Sequence, residues 1–314
     1  MDFKKYSSIE NIRKSSEVLL YDTIITEKIH GTNVRFYYGN GGLYVGGRNT
    51  IIYNPQVGEV KNDGYGFYNF ISNHPCLEIF HETGEYDNYT FYGEFHGPGI
   101  QKGIKYSEEK DLRIFDIRHP DGNFLNWEQV EYICNKLNLK IVPVFHKGKI
   151  SDIGVLNSFL NINSKCAIEN GINLEDNIAE GIVIKPLIEM MDKRGDRIIV
   201  KYKSKKWAEN ADGVSKMPKE LSKEEVEFQK QAREFASMVA TEGRLHTIIE
   251  HITRDGNVEI NMKRVPDFLR EFVKDVMEEY EEIYSKLDKK EKNIYNKIIS
   301  SQAVNLFKKY VMET

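Results

Sequence analysis

A short polar segment, Glu-Lys-Ile-His-Gly-Thr-Asn at residues 27–33, lies between two apolar, β-branched runs at 18–26 and 34–38. Such runs favour strands, because branched side chains pack well on a pleated surface. A polar interruption between them reads as a tight connection. The pattern therefore places Lys28 in a loop between strands, with Gly31 lacking the Cβ that would keep a ligand away from the backbone. From this stretch alone, an ordinary surface lysine in a hairpin loop satisfies the same pattern.

The strand pattern continues downstream. Gly-Asn-Gly-Gly at 39–42 supplies a turn into a strand at 43–46, and Arg48 follows it. Residues 51–88 are rich in Asn, Gly and Tyr with weak periodicity, so surface loops and one short helix are expected there. Further strands are expected at 89–95, 112–117, 141–144, 181–185 and 197–202, with a loop at 96–99 and a helix capped by Asn126 that reaches Leu137. Many strands and few helices imply an antiparallel α+β domain.

After Trp207 the period changes. Ser222 and Glu225 have capping-box spacing, and 226–252 reads as helical with a break at Gly243. Asp255-Gly256-Asn257 reads as a turn. From Pro266, apolar pairs at 268/269, 272/273 and 276/277 recur every four residues, the mark of an amphipathic helix with proline in its first turn. A last helix is expected over 292–310. The expected domains are 1–215 and 216–314, with the boundary inside 211–219.

The 314 residues suffice for two domains with cores of their own, and 40% hydrophobic with 29% charged residues is a globular rather than a disordered composition. No apolar run approaches a spanning length and the start has no apolar signal region, so no membrane partner is expected. Cys76, Cys134 and Cys166 lie far apart, which indicates neither a disulfide framework nor a zinc site and fits a reducing cytosol. A net charge of -4 offers no global argument for a nucleic-acid partner. Locally, Lys201, Lys203, Lys205 and Lys206 fall in one acid-free stretch that can hold phosphates.

Spacing sharpens this. On a strand, Lys201 and Lys203 leave the same face while Tyr202 leaves the other, so two ammonium groups make a phosphate clamp. Near Lys28 they would favour loss of its proton, which a lysine nucleophile requires. Lys185 lies five residues after Glu180, on the opposite face of a regular strand. Either Glu180 precedes that strand or a bulge intervenes.

Residues 28–33, 91–101, 115–117, 180–186 and 200–204, in this order, resemble the successive motifs of the covalent nucleotidyltransferases, and in detail the phage RNA ligase 2 family. The opening Phe-Lys-Lys-Tyr-Ser-Ser at 3–8 is similar to that family too. The match is strong over about the first 207 residues and weaker beyond, where Thr241 and Arg244 are the aligned positions. DNA ligases and capping enzymes usually carry Asp two residues after the nucleophile, whereas this chain has His30.

The resemblance implies roles. Lys28 would attack the α-phosphate of ATP and form a lysyl-AMP phosphoramidate; Glu27 would contact the adenine edge and Phe115 would stack on adenine. Arg48 and Glu94 would hold the ribose or orient neighbouring groups, and Asn33 would help activate the nick. Glu180 would bind Mg²⁺ or Mn²⁺, with Lys201 and Lys203 on the nucleotide phosphates and Lys185 among the nucleotide-binding residues. Asn33, Thr241 and Arg244 would contact RNA. Without the motifs, Phe115 reads as a core residue, Glu94 as a strand-end carboxylate and Arg48 as a surface cation.

The expected fold is α+β: an antiparallel-sheet nucleotidyltransferase domain of ATP-grasp-like ligase type, followed by a small all-helical domain. The expected activity is ATP-dependent joining of an RNA 5′-phosphate to a 3′-OH, at nicks in duplex RNA or at RNA ends, by a monomer in the cytoplasm, a host's if the source is a phage or virus. The alternatives are a nucleic-acid-binding protein with an inactive ligase-like domain, a DNA ligase and a capping guanylyltransferase.

Overall fold

The computed structural model describes residues 4–12, 17–150, 153–192, 195–207, 223–253, 260–261 and 264–313. The chain divides into two compact units, residues 1–189 with 196–220, and residues 190–195 with 221–314.

The first unit holds ten strands among its described residues: β1 (Glu10–Asn11), β2 (Thr23–Lys28), β3 (Thr32–Gly39), β4 (Gly42–Gly47), β5 (Ile51–Tyr53), β6 (Thr90–His96), β7 (Asp111–Arg118), β8 (Val144–Gly148), β9 (Gly181–Pro186) and β10 (Val200–Lys203). They form two five-stranded sheets, ordered β1-β10-β9-β2-β8 and β5-β4-β3-β6-β7. Pairing is antiparallel except for β1, which runs parallel to β10.

This arrangement corrects the hairpin reading of residues 18–38. β2 and β3 belong to different sheets, so residues 29–31 carry the chain from one sheet to the other. Strand β2 is also shorter than the β-branched run suggests: Glu17–Leu20 form a 3-10 turn, and the strand starts at Thr23, opposite Pro186. The expected turn at 39–42 is present, with Asn40 and Gly41 at positive φ.

Residues 51–88 depart further from expectation. Besides β5 they form two helices, α1 (Phe67–Ser72) and α2 (Cys76–Thr83), which bury Phe67, Ile71, Cys76 and Phe80. The Asp63 carboxylate accepts the amides of Phe67 and Tyr68 at 2.7 and 3.0 Å and so starts α1. These side chains join Phe36, Phe91 and Phe95 of the second sheet in one core; each buried phenylalanine contributes about 2 kcal/mol. Helix α3 (Trp127–Lys136) adds Trp127 and Val130 to that core, and Gln129 reaches back to the Asn126 amide at 3.0 Å. The expected strand at 141–144 is displaced, because Pro143 interrupts it. Ile141 makes only an isolated bridge to Ile114, and pairing with β2 starts at Val144. A short helix, α4 (Lys165–Glu169), is capped by Ser164.

The second unit is helical: α5 (Lys223–Val239), α6 (Glu242–Thr253), α7 (Val265–Glu279), α8 (Glu281–Lys286) and α9 (Lys289–Glu313). Its apolar stripes meet one another, as where Phe268 stacks on Phe307 at 4.6 Å. The break after α5 falls at Ala240 and Thr241 rather than at Gly243, because the Thr241 hydroxyl caps α6 by accepting the Arg244 amide at 3.2 Å. The expected boundary at 211–219, Ser222 of the expected capping box and the turn at 255–257 lie outside the described residues.

Candidate active site

Lys28 is the last residue of β2, paired with Gly181, rather than a loop residue. Its Nζ lies 2.7 Å from Glu180 Oε2, while Lys203 Nζ lies 3.1 Å from Oε1 of the same carboxylate. The His30 imidazole Nδ1 is 3.6 Å from Glu180 Oε2. Sequence reasoning set Lys28 among cations only; a buried carboxylate stands between the two ammonium groups. Glu180 precedes β9, whose ladders with β2 and β10 run without a bulge. The first of the two alternatives for Glu180 and Lys185 therefore holds. Gly31 lacks a Cβ for the sake of the protein: a Cβ there would lie 2.4 Å from the Phe95 carbonyl oxygen.

Alternation on β2, β9 and β10 turns Thr26, Lys28, Val183, Lys185 and Lys201 to one cavity of about 260 Å³, which the second sheet closes with Asn33, Glu94, Phe115 and Asp116. The lead-in residues Tyr6 and Ser8 and the side chain of Arg48 complete its wall. Phe115 meets the Tyr6 ring edge-on at 4.9 Å. Arg48 donates to Ser8 Oγ at 2.8 Å. Among the described residues Asn33 Oδ1 is buried without a hydrogen-bond partner, a cost that a bound polar group would relieve. Glu94 accepts the Gly31 amide at 3.2 Å, and burial pushes its carboxyl up to about 7 against the opposing pull of Lys28.

Lys185 is tied within the wall. Its Nζ bonds Asp116 Oδ1 and the Phe115 carbonyl, and Asp116 also accepts from Tyr6 and, at 3.0 Å, from Arg197. Burial raises the Asp116 carboxyl, but Arg197 and Lys185 outweigh it and hold the group below the usual carboxylate range. Sequence reasoning assigned no role to Tyr6, Asp116 or Arg197. Two of them lie in quoted motifs, but contacts between residues 110 positions apart leave no periodic trace.

Glu27 borders the same cavity, yet its side chain leaves the face of β2 opposite Lys28. Its carboxylate accepts from Ser164 Oγ at 2.6 Å and from the Cys166 amide at 2.8 Å, at the start of α4. Burial pushes it up to about 7 in spite of these bonds. Each oxygen thus already accepts a hydrogen bond from the start of α4. In the helical unit Thr241 is exposed and serves as the α6 cap. Arg244 bonds Asp275 at 2.7 Å and also Glu279, and its guanidinium lies over the Phe272 and Tyr280 rings. These contacts give Arg244 a packing duty within that unit.

Among the described residues no three His, Cys, Asp or Glu side chains come together as a metal cage. Glu180 with the nearby Glu94 is a donor set suited to a divalent ion that keeps water or phosphate oxygens as its other ligands. Among the described residues no helix is long and apolar enough to cross a membrane.

Two sheets with a lysine, a carboxylate and further lysines at their seam define a ligase-type fold. Solved structures of Naegleria gruberi RNA ligase share it. A variant without ligand matches at 18% identity and TM-score 0.50 over 65% of this chain and 56% of that one. A form with ATP and Mn matches at 18% and 0.51 over 66% and 57%, and a form with PPi at 19% and 0.51 over 68% and 59%. The match thus spans less than two thirds of that ligase. A family model described as RNA ligase matches residues 22–203, more than half of the 314 residues, and the chain belongs to the RNA ligase family.

Proposed function

We propose that this RNA ligase family member joins RNA ends with ATP through a covalent intermediate on Lys28. Neutral Lys28 Nζ attacks the α-phosphorus; the N–P bond forms as the bond to the bridging oxygen breaks, pyrophosphate leaves with the electron pair, and Nζ releases a proton. An RNA 5′-phosphate oxygen then attacks the same phosphorus, restoring the lysine and giving a 5′-adenylylated end. Finally a 3′-OH attacks the 5′-phosphorus and releases its proton as the bond to the AMP oxygen breaks; AMP leaves with the electron pair, and a phosphodiester remains. In-line transfers of this kind need positioning and positive charge more than covalent help.

The reading is carried by one observation: the Lys28 ammonium stands at the edge of a nucleotide-sized cavity, beside Glu180, with Lys201 in the wall and Lys203 on the same carboxylate. Phe115 offers a flat face for the base, and Asn33 Oδ1 offers an open acceptor. Glu180, with Glu94, would hold Mg²⁺ or Mn²⁺, which would supply charge neutralisation on the phosphates. Duplex RNA nicks are the proposed substrate.

Incubation with labelled ATP and magnesium tests the first step. A denaturation-resistant protein-AMP adduct, absent in Lys28→Ala, is expected; an unlabelled wild-type protein would favour an inactive, nucleic-acid-binding ligase-like domain. Sealing of a nicked RNA duplex beside its all-DNA counterpart tests the substrate. Equal or better sealing of DNA overturns the RNA assignment.

A further inference from the structure

Trp207 holds a position that the chemistry of Lys28 does not by itself require. It ends the 3-10 turn Lys205–Trp207 that follows β10. Its amide donates to the Ser204 carbonyl at 3.0 Å, and its indole N–H donates to the Ile178 carbonyl at 3.3 Å. Its six-membered ring fills the space over Gly103, where an added Cβ would lie 2.5 Å from Cη2 and where φ is +100°. Only glycine leaves that space open. Another neighbour is His30, whose imidazole lies 4.6 Å from the indole, centroid to centroid, at 51°.

His30 is thereby held from both ends. Its amide donates to the Tyr106 hydroxyl at 2.7 Å, which fixes the backbone. Its ring lies between Trp207 and Glu180, the carboxylate that also takes Lys28 and Lys203. Burial lowers the His30 pKa, with Glu180 pulling the other way and Lys28 and Lys203 adding to the fall. The two ring nitrogens of an imidazole are distinct, so its usefulness depends on which way the ring is turned.

We propose that Trp207 is a positioning residue for adenylylation of Lys28: its indole holds the His30 imidazole against Glu180, at the lysine end of the cavity. The inference rests on the lysyl-AMP reading above. It predicts a loss in the rate of the covalent step rather than in nucleotide affinity, because Trp207 does not border the cavity that would take the nucleotide.

The test uses the full chain, labelled ATP and magnesium. Trp207→Ala is expected to slow adduct formation at saturating ATP by about tenfold with KM for ATP within about twofold, and Trp207→Phe, which keeps an aromatic face, to recover to within about threefold of wild type. Added to His30→Ala, Trp207→Ala is expected to slow the step by less than about twofold more, because the two act through one contact. Independent, multiplying effects, a change in KM alone, or a Trp207→Phe variant as slow as Trp207→Ala overturns the proposal. Should Trp207→Ala fail to fold, Trp207→Leu takes its place with the same expected readings.

Fluorescence separates this failure from failure of the ligase reading. The chain has two tryptophans, and Trp127 is fully buried in the core. An imidazole packed on the indole shields it from solvent, so wild-type emission is expected to lie at shorter wavelength and to be less quenched by acrylamide than emission of His30→Ala. Identical spectra and quenching in the two overturn the contact even if the adduct forms. A clear difference between them in a chain that forms no adduct instead refutes the lysyl-AMP reading.

Discussion

Lys28 Nζ and Glu180 Oε2 stand 2.7 Å apart, and the second oxygen of that carboxylate takes Lys203 at 3.1 Å. One buried carboxylate thus serves two ammonium groups, so each substitution here changes the charge seen by the others. Lys28→Ala and Lys28→Arg should both abolish the AMP adduct, since arginine stays protonated. Glu180→Gln keeps the shape but removes the charge; adduct formation should fall about 100-fold or more, and stability by about 1–3 kcal/mol. Adduct formation in Lys28→Ala would place the nucleophile elsewhere.

Lys201 and Lys203 leave the same face of β10 and are half-buried, while Tyr202 between them is buried. Neither lysine fills the core. Lys201→Ala and Lys203→Ala should therefore each lower the rate of adduct formation by about tenfold or more, with Tm within a few degrees of wild type. Thermal unfolding beside the labelling assay decides: a variant that simply unfolds would make its lysine structural.

Glu27 ionises near 7 in the fold against an ordinary 4.5, chiefly through burial. Folding thus favours its protonated form, and that stabilising contribution is whole below 4.5 and lost as pH rises through 7. The loss has a ceiling of about 3 kcal/mol. Glu27→Gln cannot ionise, so its stability should decline less than that of wild type between pH 4.5 and 8. Parallel urea unfolding series report this directly, and equal slopes would refute it. Glu94, pushed up in the same way, should leave a residual slope in the variant.

Asp116 carries the opposite sign. Lys185 and Arg197 hold it below the usual range, so its contribution is present above the unfolded pKa and lost as pH falls through the folded one. Asp116→Asn leaves two buried cations short of a partner, at a cost of about 3–5 kcal/mol. A variant as stable as wild type at neutral pH would mean that Glu189 alone satisfies Arg197.

How far the site was legible follows from which signals are local. The shared face of Lys201 and Lys203 was readable because a strand has period two. Phe115 and Asn33 were placed only through resemblance, since a cavity wall and a core wall share one composition. The crossing of residues 29–31 between sheets was not readable, because alternation reports a strand's faces and not its partners. The same limit hid the Ser164 and Cys166 bonds of Glu27, which join residues 137 and 139 positions apart. Helices α1 and α2 were missed in part because they are short, and Asn, Gly and Tyr blur the helical period.

The helical unit has a core of its own, with Phe268, Phe272 and Phe307 fully buried, and none of the residues proposed for the first step belongs to it. A chain ended at Lys216 should still label with ATP. Sealing asks for more, because the RNA must be held by its phosphates in line with the adenylate, and the first unit offers one lysine cluster for that. The shortened chain should therefore seal a 5′-phosphate nick poorly. Arg244 is expected to act within its unit: with its guanidinium committed to Asp275 and Glu279, Arg244→Ala should lower the stability of that unit by about 1–3 kcal/mol before any effect on RNA is read. Thermal unfolding of Arg244→Ala beside nick sealing separates the two duties, and unchanged stability with lost sealing would return Arg244 to direct RNA contact. If the chain ended at Lys216 seals as well as the whole, residues 217–314 have some other role.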